Sequence, residues 1–327
     1  MTSRQETSEP FEIGGVRVQP GTVGRVEIPV ARLPTQTEVT IPVHVSHGAR
    51  PGPRLWLSAT IHGDELNGLE IIHRVLERVR VARLAGTLVS VPVVNVFGFI
   101  HRDRYLPDRR DLNRSFPGSK TGSLAARIAH LFLSEVVSRC THGIDLHTGS
   151  QDRTNLPQVR ADLADAETRR CARAFGAPIM IHGDSPAGSL RRVAAQRGIA
   201  IIVYEAGQPQ RMDPGAIDLG VRGVLRVMAE LKMYGARRIR GARETLETAS
   251  RKWVRAKRSG ILRLTTKAGA WVAEGAKIGT IRDVLGATKA DVTASVSGLV
   301  IGHTLNPVVN RGDALVHIAR DVVRRSK

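Results

Sequence analysis

The sequence predicts an α/β protein with a smaller all-β region at its C-terminal end. From Leu55 to Met233, apolar runs alternate with segments that carry apolar residues at helical spacing. This alternation is typical of a mixed, largely parallel sheet flanked by helices. From residue 259 onward the helical spacing stops, and short apolar runs are separated by glycines.

The predicted elements follow one another in a regular order. Residues 11–50 alternate apolar and polar side chains between Gly and Pro breaks, which predicts short antiparallel strands. The next predicted strands are LWLSATI, TLVSVPVVNVFGF, HGIDLHTG, PIMIHG and IAIIVYEAG. The predicted helices that follow each of them are NGLEIIHRVLERVR, SLAARIAHLFLSEVVSRC, AETRRCARAFGA, SLRRVAAQRG and AIDLGVRGVLRVMAELKM.

A change of composition marks the predicted end of the first domain. The segment YGARRIRGARETLETASRKWVRAKR is basic, has little apolar periodicity and is therefore predicted to be a linker. Residues 259–281 and 297–318 then resemble each other, since both open with Ser-Gly and end in Gly-x-x-aliphatic-x-x-Ile. Such halves predict a small pseudo-symmetric sandwich or barrel. The predicted organisation is a domain of residues 1–234 that includes the N-terminal β-strands, a linker of residues 235–258 and a β domain of residues 259–327.

The formal net charge of +19 has three interpretations: a nucleic-acid or membrane-surface binder, an arginine-rich composition, or a site for small acidic substrates. The arginines are scattered, and no RNA-stacking motif or helix-turn-helix pattern accompanies them. No apolar run approaches the roughly 20 residues that span a bilayer. We therefore expect neither a specific nucleic acid nor a membrane as partner.

The N-terminal sequence and the cysteines predict a cytoplasmic location. The first residues, MTSRQETSEPFEIGG, contain no apolar segment of the kind found in secretory signals. Cys140 and Cys171 lie in helix-like segments without Cys-x-x-Cys spacing, which is typical of reduced, buried thiols.

Polar side chains stand where the predicted strands end. His62, Asn95, His147 and Glu205 each follow or close an apolar run. Ligands of parallel α/β sheets bind beyond the carboxyl ends of the strands. The shared placement is the reason to consider these residues together.

His62 and Glu65, three residues apart and followed by the distant His147, match the His2Glu ligand set of a catalytic zinc site. Such a site leaves a fourth position for water. Asp145 lies two residues before His147 and on a strand would face the same side, so it is a candidate acceptor for a ligand's ring N–H. The structural alternatives are a helix N-terminus for His62 and Glu65 and a core histidine for His147.

Glu205 and an arginine-rich segment supply further candidates. A carboxylate after the apolar run IAIIVY is costly to bury unless it is paired, solvated or near a metal, and near zinc Glu205 could act as general acid and base. The segment HRDRYLPDRRDLNRSFPG (101–118) is dense in Arg, which binds carboxylates through its planar fork, and Asn113 could complete such a clamp. A solvated loop with charges balanced by three Asp residues is the alternative interpretation.

Four motifs in order, HGDE (62–65), DLNR (111–114), DLHT (145–148) and EAG (205–207), resemble those of the aspartoacylase/succinylglutamate desuccinylase family of the zinc-carboxypeptidase superfamily. The resemblance covers roughly residues 55–207. It implies a carboxypeptidase-like α/β domain with a smaller C-terminal all-β domain of the barrel-sandwich or biotinyl-like type over the site.

The resemblance also implies a role for each matching residue. The implied zinc ligands are His62, Glu65 and His147, one Zn²⁺ per chain, with Glu205 as general acid/base. Asn113 and Arg114 are implied to hold a substrate carboxylate, and Arg104 resembles the arginine that steadies the carbonyl oxygen as it gains charge. Where the aspartoacylase branch has a substrate-binding tyrosine in its C-terminal domain, the comparable HTLNPVV stretch has Asn306.

These observations leave three functions open. The first is a zinc amidohydrolase that removes an acyl group from an N-acyl amino acid or a similar small acidic amide. The second is a zinc peptidase that trims a residue, such as glutamate, from a peptide. The third is a non-catalytic binding or scaffold protein with a vestigial site. The sequence leaves open whether the chain forms a homo-oligomer.

Overall fold

The computed structural model describes residues 8–235 and 245–325 of the chain. Its α-helices are α1 (Asn67–Arg78), α2 (Val96–His101), α3 (Leu124–Glu135), α4 (Ala166–Phe175), α5 (Leu190–Gln196) and α6 (Pro214–Glu230). The strands before the last helix are β1 (Phe11–Ile13), β2 (Val16–Val18), β3 (Thr22–Arg32), β4 (Glu38–His47), β5 (Arg50–Ala59), β6 (Ala85–Val91), β7 (His142–His147), β8 (Arg153–Ala161), β9 (Ile179–His182) and β10 (Ala200–Gly207).

The later strands are β11 (Thr245–Thr248), β12 (Ser250–Arg255), β13 (Gly260–Leu264), β14 (Trp271–Val272), β15 (Lys277–Arg282), β16 (Lys289–Thr293), β17 (Gly298–Thr304), β18 (Val308–Val309), β19 (Ala314–Arg320) and β20 (Val323–Arg325). The predicted fold class is confirmed, because a large mixed sheet flanked by helices is followed by antiparallel β structure.

One sheet runs through the molecule in the order β12-β19-β17-β8-β10-β7-β5-β6-β4-β3. The strands of its centre, β6, β5, β7 and β10, are parallel neighbours. The strands flanking that centre, β4 on one side and β8 on the other, pair antiparallel. The carboxyl ends of β5, β7 and β10 therefore lie side by side, at the edge where α/β sheets bind ligands.

Helices cover both faces of the central strands. On one face, Leu55, Leu57 and the apolar sides of α1, α4 and α6 form a buried cluster. On the other face, Trp56 packs with α3, α5 and the N-terminal strands. A Cβ on Gly143 would lie 2.1 Å from the Trp56 ring, so this position of β7 needs glycine to admit the indole.

The strand predicted over TLVSVPVVNVFGF is wrong in its second half. Strand β6 ends at Val91, and residues 96–101 form α2 instead. Pro92 has no N–H to continue the ladder, and the Asn95 side chain caps the helix by accepting the N–H of Gly98 at 2.8 Å. A Cβ on Gly63 would lie 1.9 Å from the Gly98 carbonyl carbon, so the turn after β5 packs directly on this helix.

The prediction of a linker over residues 235–258 is wrong for residues 245–255, which form β-strands. Residues 236–244 lie outside the described residues, but β11 and β12 occupy residues 245–248 and 250–255. Strand β11 pairs with β9, and β12 pairs with β19. The segment is polar because residues such as Arg251 and Lys252 are exposed while only Val254 of β12 is buried. The domain boundaries themselves stay a prediction.

The two similar halves of the C-terminal region exchange strands. Strand β14 of the first half pairs with β17 of the second, and β18 of the second half pairs with β13 of the first. Gly260 and Gly298 open corresponding strands, and a Cβ at either would lie within 2.3 Å of a backbone carbonyl oxygen. The Ser-Gly that begins each half thus marks a close approach between strands.

Among the described residues, no helix is both long and apolar enough to span a bilayer. Cys140 and Cys171 are both buried and free.

Candidate active site

A cavity of about 660 Å³ lies at the carboxyl ends of β5, β7 and β10. His62 follows β5, His147 closes β7, and Glu205 lies near the end of β10, paired in register with His147. The turn after β5 brings Glu65 into the same cavity. Parallel pairing thus brings together residues that are up to 143 positions apart in sequence.

His62, Glu65 and His147 form a buried group with converging ligand atoms. Nδ1 of His62 lies 2.7 Å from Oε1 of Glu65, and Nδ1 of His147 lies 2.7 Å from Oε2 of the same carboxylate. One ligand atom from each residue falls within 4.8 Å of the other two, a spacing suited to one metal ion. The Thr148 N–H also donates to Glu65 Oε2 at 3.1 Å and fixes that carboxylate.

The outer ring nitrogen of each histidine faces a carboxylate. Nε2 of His147 lies 2.8 Å from Asp145, which also accepts a hydrogen bond from Ser58 Oγ at 2.7 Å. Nε2 of His62 lies 3.3 Å from Asp111. Metal-binding histidines typically donate their second N–H to such partners, which leaves the other nitrogen free for the metal. The donor set therefore fits zinc.

The electrostatics of the group fit a cation. Burial alone would raise the pKa of the Glu65 carboxyl, but His62 and His147 hold that pKa well below its usual range. Burial would lower the pKa of His147, but Asp145 and Glu65 raise it well above the ordinary value. Three carboxylates, those of Glu65, Asp145 and Asp111, surround the two imidazoles, and Arg104 is the cation beside them, so the group has an excess of negative charge that favours a bound cation.

Arg104 lies beside the buried group. Its Nη2 donates to Asp111 Oδ2 at 2.7 Å, and its Nη1 donates to Ser150 Oγ. The same Nη1 is 3.9 Å from Glu65 Oε1, so the positive charge faces the centre of the cavity. Burial favours the neutral acid of Asp111, yet His62 and Arg104 outweigh this and lower its pKa.

Two side chains of β8 hold Glu205. Asn155 Nδ2 donates to Oε2 at 2.6 Å, and Arg160 Nη1 lies 2.9 Å from Oε1. Both carboxylate oxygens are thereby oriented on a rigid strand. Sequence reasoning missed both residues, because β8 reaches the site by antiparallel pairing with β10 and carries no local motif.

Asn113 and Arg114 also line the cavity. The Asn113 Oδ1 accepts the N–H of Leu190 at 2.9 Å, which leaves the amide NH₂ as the donor for a ligand. Arg114 is exposed, and its Nη1 donates to the Asn113 carbonyl at 2.6 Å. The guanidinium keeps its other donors available to a carboxylate.

Two residues singled out in the sequence lie elsewhere. Asn95 is buried and caps α2, outside the cavity lining. Asn306 sits in an exposed turn, where its Oδ1 accepts the Val308 N–H at 3.0 Å. The C-terminal region instead contributes Arg251, Trp253 and His317, of which the last two stack with ring centroids 4.3 Å apart. In the sequence, the signal that could have pointed to these residues was Trp253, a large aromatic residue within a basic stretch.

A second group of potential metal ligands, His142, Glu167 and Cys171, lies away from this cavity. Glu167 is already engaged by Arg170 at 2.5 Å and by His142 at 2.8 Å. Burial raises the pKa of the Cys171 thiol to about 12, which disfavours the thiolate that a metal needs. This group is better described as an ion-pair cluster.

The sheet and the cavity at its edge define an α/β protein with an enzyme-like active site. The chain belongs to the succinylglutamate desuccinylase/aspartoacylase family, since the sequence profile described as "Succinylglutamate desuccinylase/Aspartoacylase catalytic domain" matches residues 51–231, more than half of the chain.

Similar proteins agree with this membership. The N-alpha-acetyl-L-2,4-diaminobutyric acid deacetylase of Halomonas elongata is 28% identical over 302 residues, covering 87% of this chain and 86% of the relative. The crystal structure of a succinylglutamate desuccinylase/aspartoacylase from Rhodobacter sphaeroides has 25% identity and a TM-score of 0.81, covering 94% of this chain and 96% of that chain. Product-bound EutE (DoeB) from Ruegeria pomeroyi has 23% identity and a TM-score of 0.82, with 90% and 94% covered, and shares the fold.

Proposed function

We propose that this protein is a zinc-dependent amidohydrolase that removes an acyl group from an N-acyl amino acid or a similar small acidic amide. The observation that carries the proposal is the His62–Glu65–His147 group with Glu205 in the same cavity. The deacetylase activity in the name of the Halomonas elongata relative supports the reaction type.

Each residue has a defined task in this proposal. When bound to His62, Glu65 and His147, zinc would acidify a water molecule and polarise the amide carbonyl. Glu205, held through both oxygens, takes the proton of the attacking water and delivers it to the leaving nitrogen. Arg104 stabilises the negative charge that develops on the carbonyl oxygen.

The substrate carboxylate is assigned to Asn113 and Arg114, which present an amide NH₂ and a guanidinium to the cavity. The cavity volume of about 660 Å³ is in the range of small-molecule sites. Trp253 and His317 line it from the C-terminal region, which favours a small amide over an extended peptide.

The test combines metal analysis with kinetics. We expect one zinc per chain, lost in His62→Ala or His147→Ala, because three ligands are needed to hold it. Glu205→Gln should retain zinc and lose turnover of N-acyl amino acids by roughly 10² or more, as expected for a general base. Glu230→Gln, the same change at an exposed residue at the end of α6, is the matched control and should keep normal turnover.

Two results would contradict the proposal. One is the absence of stoichiometric zinc after titration of the purified protein. The other is near-normal turnover by Glu205→Gln. A cytoplasmic location and the oligomeric state stay predictions that these measurements do not address.

A further inference from the structure

Asn155 lies between two glycines in the sheet beside the cavity. It pairs with Gly207 of β10 on one side of β8 and with Gly302 of β17 on the other. Side chains that stand directly opposite on neighbouring strands normally pack against each other, with Cβ atoms about 4.5–5.5 Å apart. Because both partners are glycines, the Asn155 carboxamide is free to turn towards Glu205, whose Oε2 it reaches at 2.6 Å.

The two glycines are needed for different reasons. Gly207 has a φ of 74°, a left-handed backbone conformation that favours glycine. Gly302 has no positive φ, so its backbone would accept other residues. A Cβ at Gly302 would instead lie 2.7 Å from Asn155 Oδ1 and 2.8 Å from the Thr154 carbonyl oxygen, closer than real Cβ atoms approach. Space for the Asn155 carboxamide and for this carbonyl is therefore what requires glycine at position 302.

The register of the sheet changes on both sides of Asn155. Between β10 and β8 the shift falls between Glu205 and Gly207. Between β17 and β19 it falls between Val300 and Gly302, so each shift ends at the glycine that pairs with Asn155. Such irregularities are frequent beside active sites, where they re-aim a side chain. Here they accompany the side chain that contacts the candidate general base.

The carboxylate of Glu205 depends on two neighbours for its orientation. Arg160 Nη1 lies 2.9 Å from Oε1, and Asn155 Nδ2 donates to Oε2. Glutamate loses much rotamer freedom when it is fixed, and a general base acts efficiently only when it is aligned with the reacting atoms. Loss of the Asn155 hydrogen bond would leave Glu205 held through one oxygen only.

We propose that Gly302 is a positioning residue for the reaction: it leaves space for the Asn155 carboxamide, and Asn155 in turn aligns Glu205. The inference rests on the proposed amidohydrolase function, in which Glu205 moves the proton. The residues assigned to zinc and to proton transfer all precede residue 235, whereas Gly302 belongs to the C-terminal β region. That region therefore takes part in catalysis by aligning a side chain of another strand.

The test is Gly302→Ala, assayed as zinc-loaded protein with an N-acyl amino acid that the wild type hydrolyses. We expect kcat to fall about tenfold or more while KM and zinc content stay unchanged, because only the chemical step uses the aligned base. Gly279→Ala on β15 is the matched control, since a Cβ there would lie 2.8 Å from the Arg263 carbonyl oxygen, the same backbone crowding as at Thr154. Gly279 does not line the cavity, so this variant should keep the wild-type kcat.

A double-mutant cycle separates alignment from general damage to the strand. Asn155→Ala alone should lower kcat about tenfold or more. Adding Gly302→Ala to it should change kcat by less than about twofold, because the carboxamide that the new Cβ displaces is already gone. A full further loss in the double variant would mean that crowding of the Thr154 carbonyl lowers the rate, and the proposal would be overturned.

The side-chain amide signal of Asn155 reports the contact without turnover. The chain has six asparagines, so isotopic labelling of asparagine nitrogen gives an NMR spectrum with few signals, and Asn155→Ala identifies the one that is needed. This signal should shift in Glu205→Gln, since a neutral acceptor replaces a charged one. It should also shift in Gly302→Ala and stay in place in Gly279→Ala.

The outcomes distinguish a failure of this inference from a failure of the proposed function. Wild-type kcat in Gly302→Ala or in Asn155→Ala, or an unmoved Asn155 signal in Gly302→Ala, overturns the positioning role while hydrolysis itself stands. If the wild type hydrolyses no N-acyl amino acid, the proposed function fails. The amide signal then decides alone whether Gly302 holds Asn155 against Glu205.

Discussion

His317 should make the protein less stable in mild acid. Its ring stacks on Trp253 at an interplanar angle of 5° and is 5% exposed. Burial and the charges of Arg160, Arg251 and Arg153 lower its pKa to about 3. In the unfolded chain a histidine has a pKa of about 6.5.

The sign and size of the effect follow from these two values. Between pH 6.5 and pH 3 the unfolded state binds a proton that folded His317 does not, so stability falls as the pH falls. The limiting slope is about 1.4 kcal/mol per pH unit. From pH 7 to pH 5 the contribution amounts to about 2 kcal/mol, since the histidine of the unfolded chain is already mostly neutral at pH 7.

The assay is urea unfolding of metal-depleted wild type and His317→Gln at pH 7 and pH 5, at one ionic strength. Other titrating groups are common to both proteins and cancel in the difference. Wild type should lose about 2 kcal/mol more than the variant on acidification. His73→Gln, which changes a half-exposed histidine on α1, should follow the wild type.

The reasoning would be refuted by parallel acid destabilisation of wild type and His317→Gln. That result would mean that His317 takes up its proton equally in the folded and unfolded states. Burial and the charges of Arg160, Arg251 and Arg153 would then shift the pKa of His317 less than their positions indicate.

Two further predictions concern the metal group and the carboxylate clamp. Asp145→Asn should weaken zinc binding roughly 10- to 100-fold, measured by chelator competition, because the partner that orients the His147 ring is altered; unchanged affinity would show that Asp145 serves only to satisfy Ser58. Methylation of the substrate carboxylate should sharply raise KM, and Arg114→Lys should do the same because ammonium lacks the planar fork; equal kinetics on acid and methyl ester would remove the clamp.

The sequence predicted that the central residues of the cavity lie together, because they sit in local motifs at strand ends, and their roles stay predictions. His62, Glu65, His147 and Glu205 follow apolar runs, and parallel pairing brings such ends together without further information. Asp145 followed from the two-residue alternation of β7. These inferences required the spacing of apolar residues along each strand and helix, and the rule that ligands bind at the carboxyl ends of parallel strands.

The outer wall of the cavity could not be predicted in this way. Asn155, Arg251 and His317 lie on strands joined by antiparallel pairings across long sequence separations, and no local spacing encodes their meeting. The residues of β12 were predicted to be part of a linker because most of them are exposed and basic, so the sequence shows no alternation of apolar and polar residues there. Asn306, which the sequence comparison singled out, lies in an exposed turn, and the C-terminal residues that line the cavity lie on the strands β12 and β19 instead.

Backbone pairing between β17 and β8 makes the outer wall of the cavity part of the same sheet as its floor. Gly302 pairs with Asn155, and the ladder continues through β19 to β12, where Arg251 stands. A wall built this way cannot swing aside like a hinged lid without breaking backbone hydrogen bonds. New specificities on this scaffold can therefore evolve by single side-chain replacements on β12 and β19 while the reacting groups keep their positions.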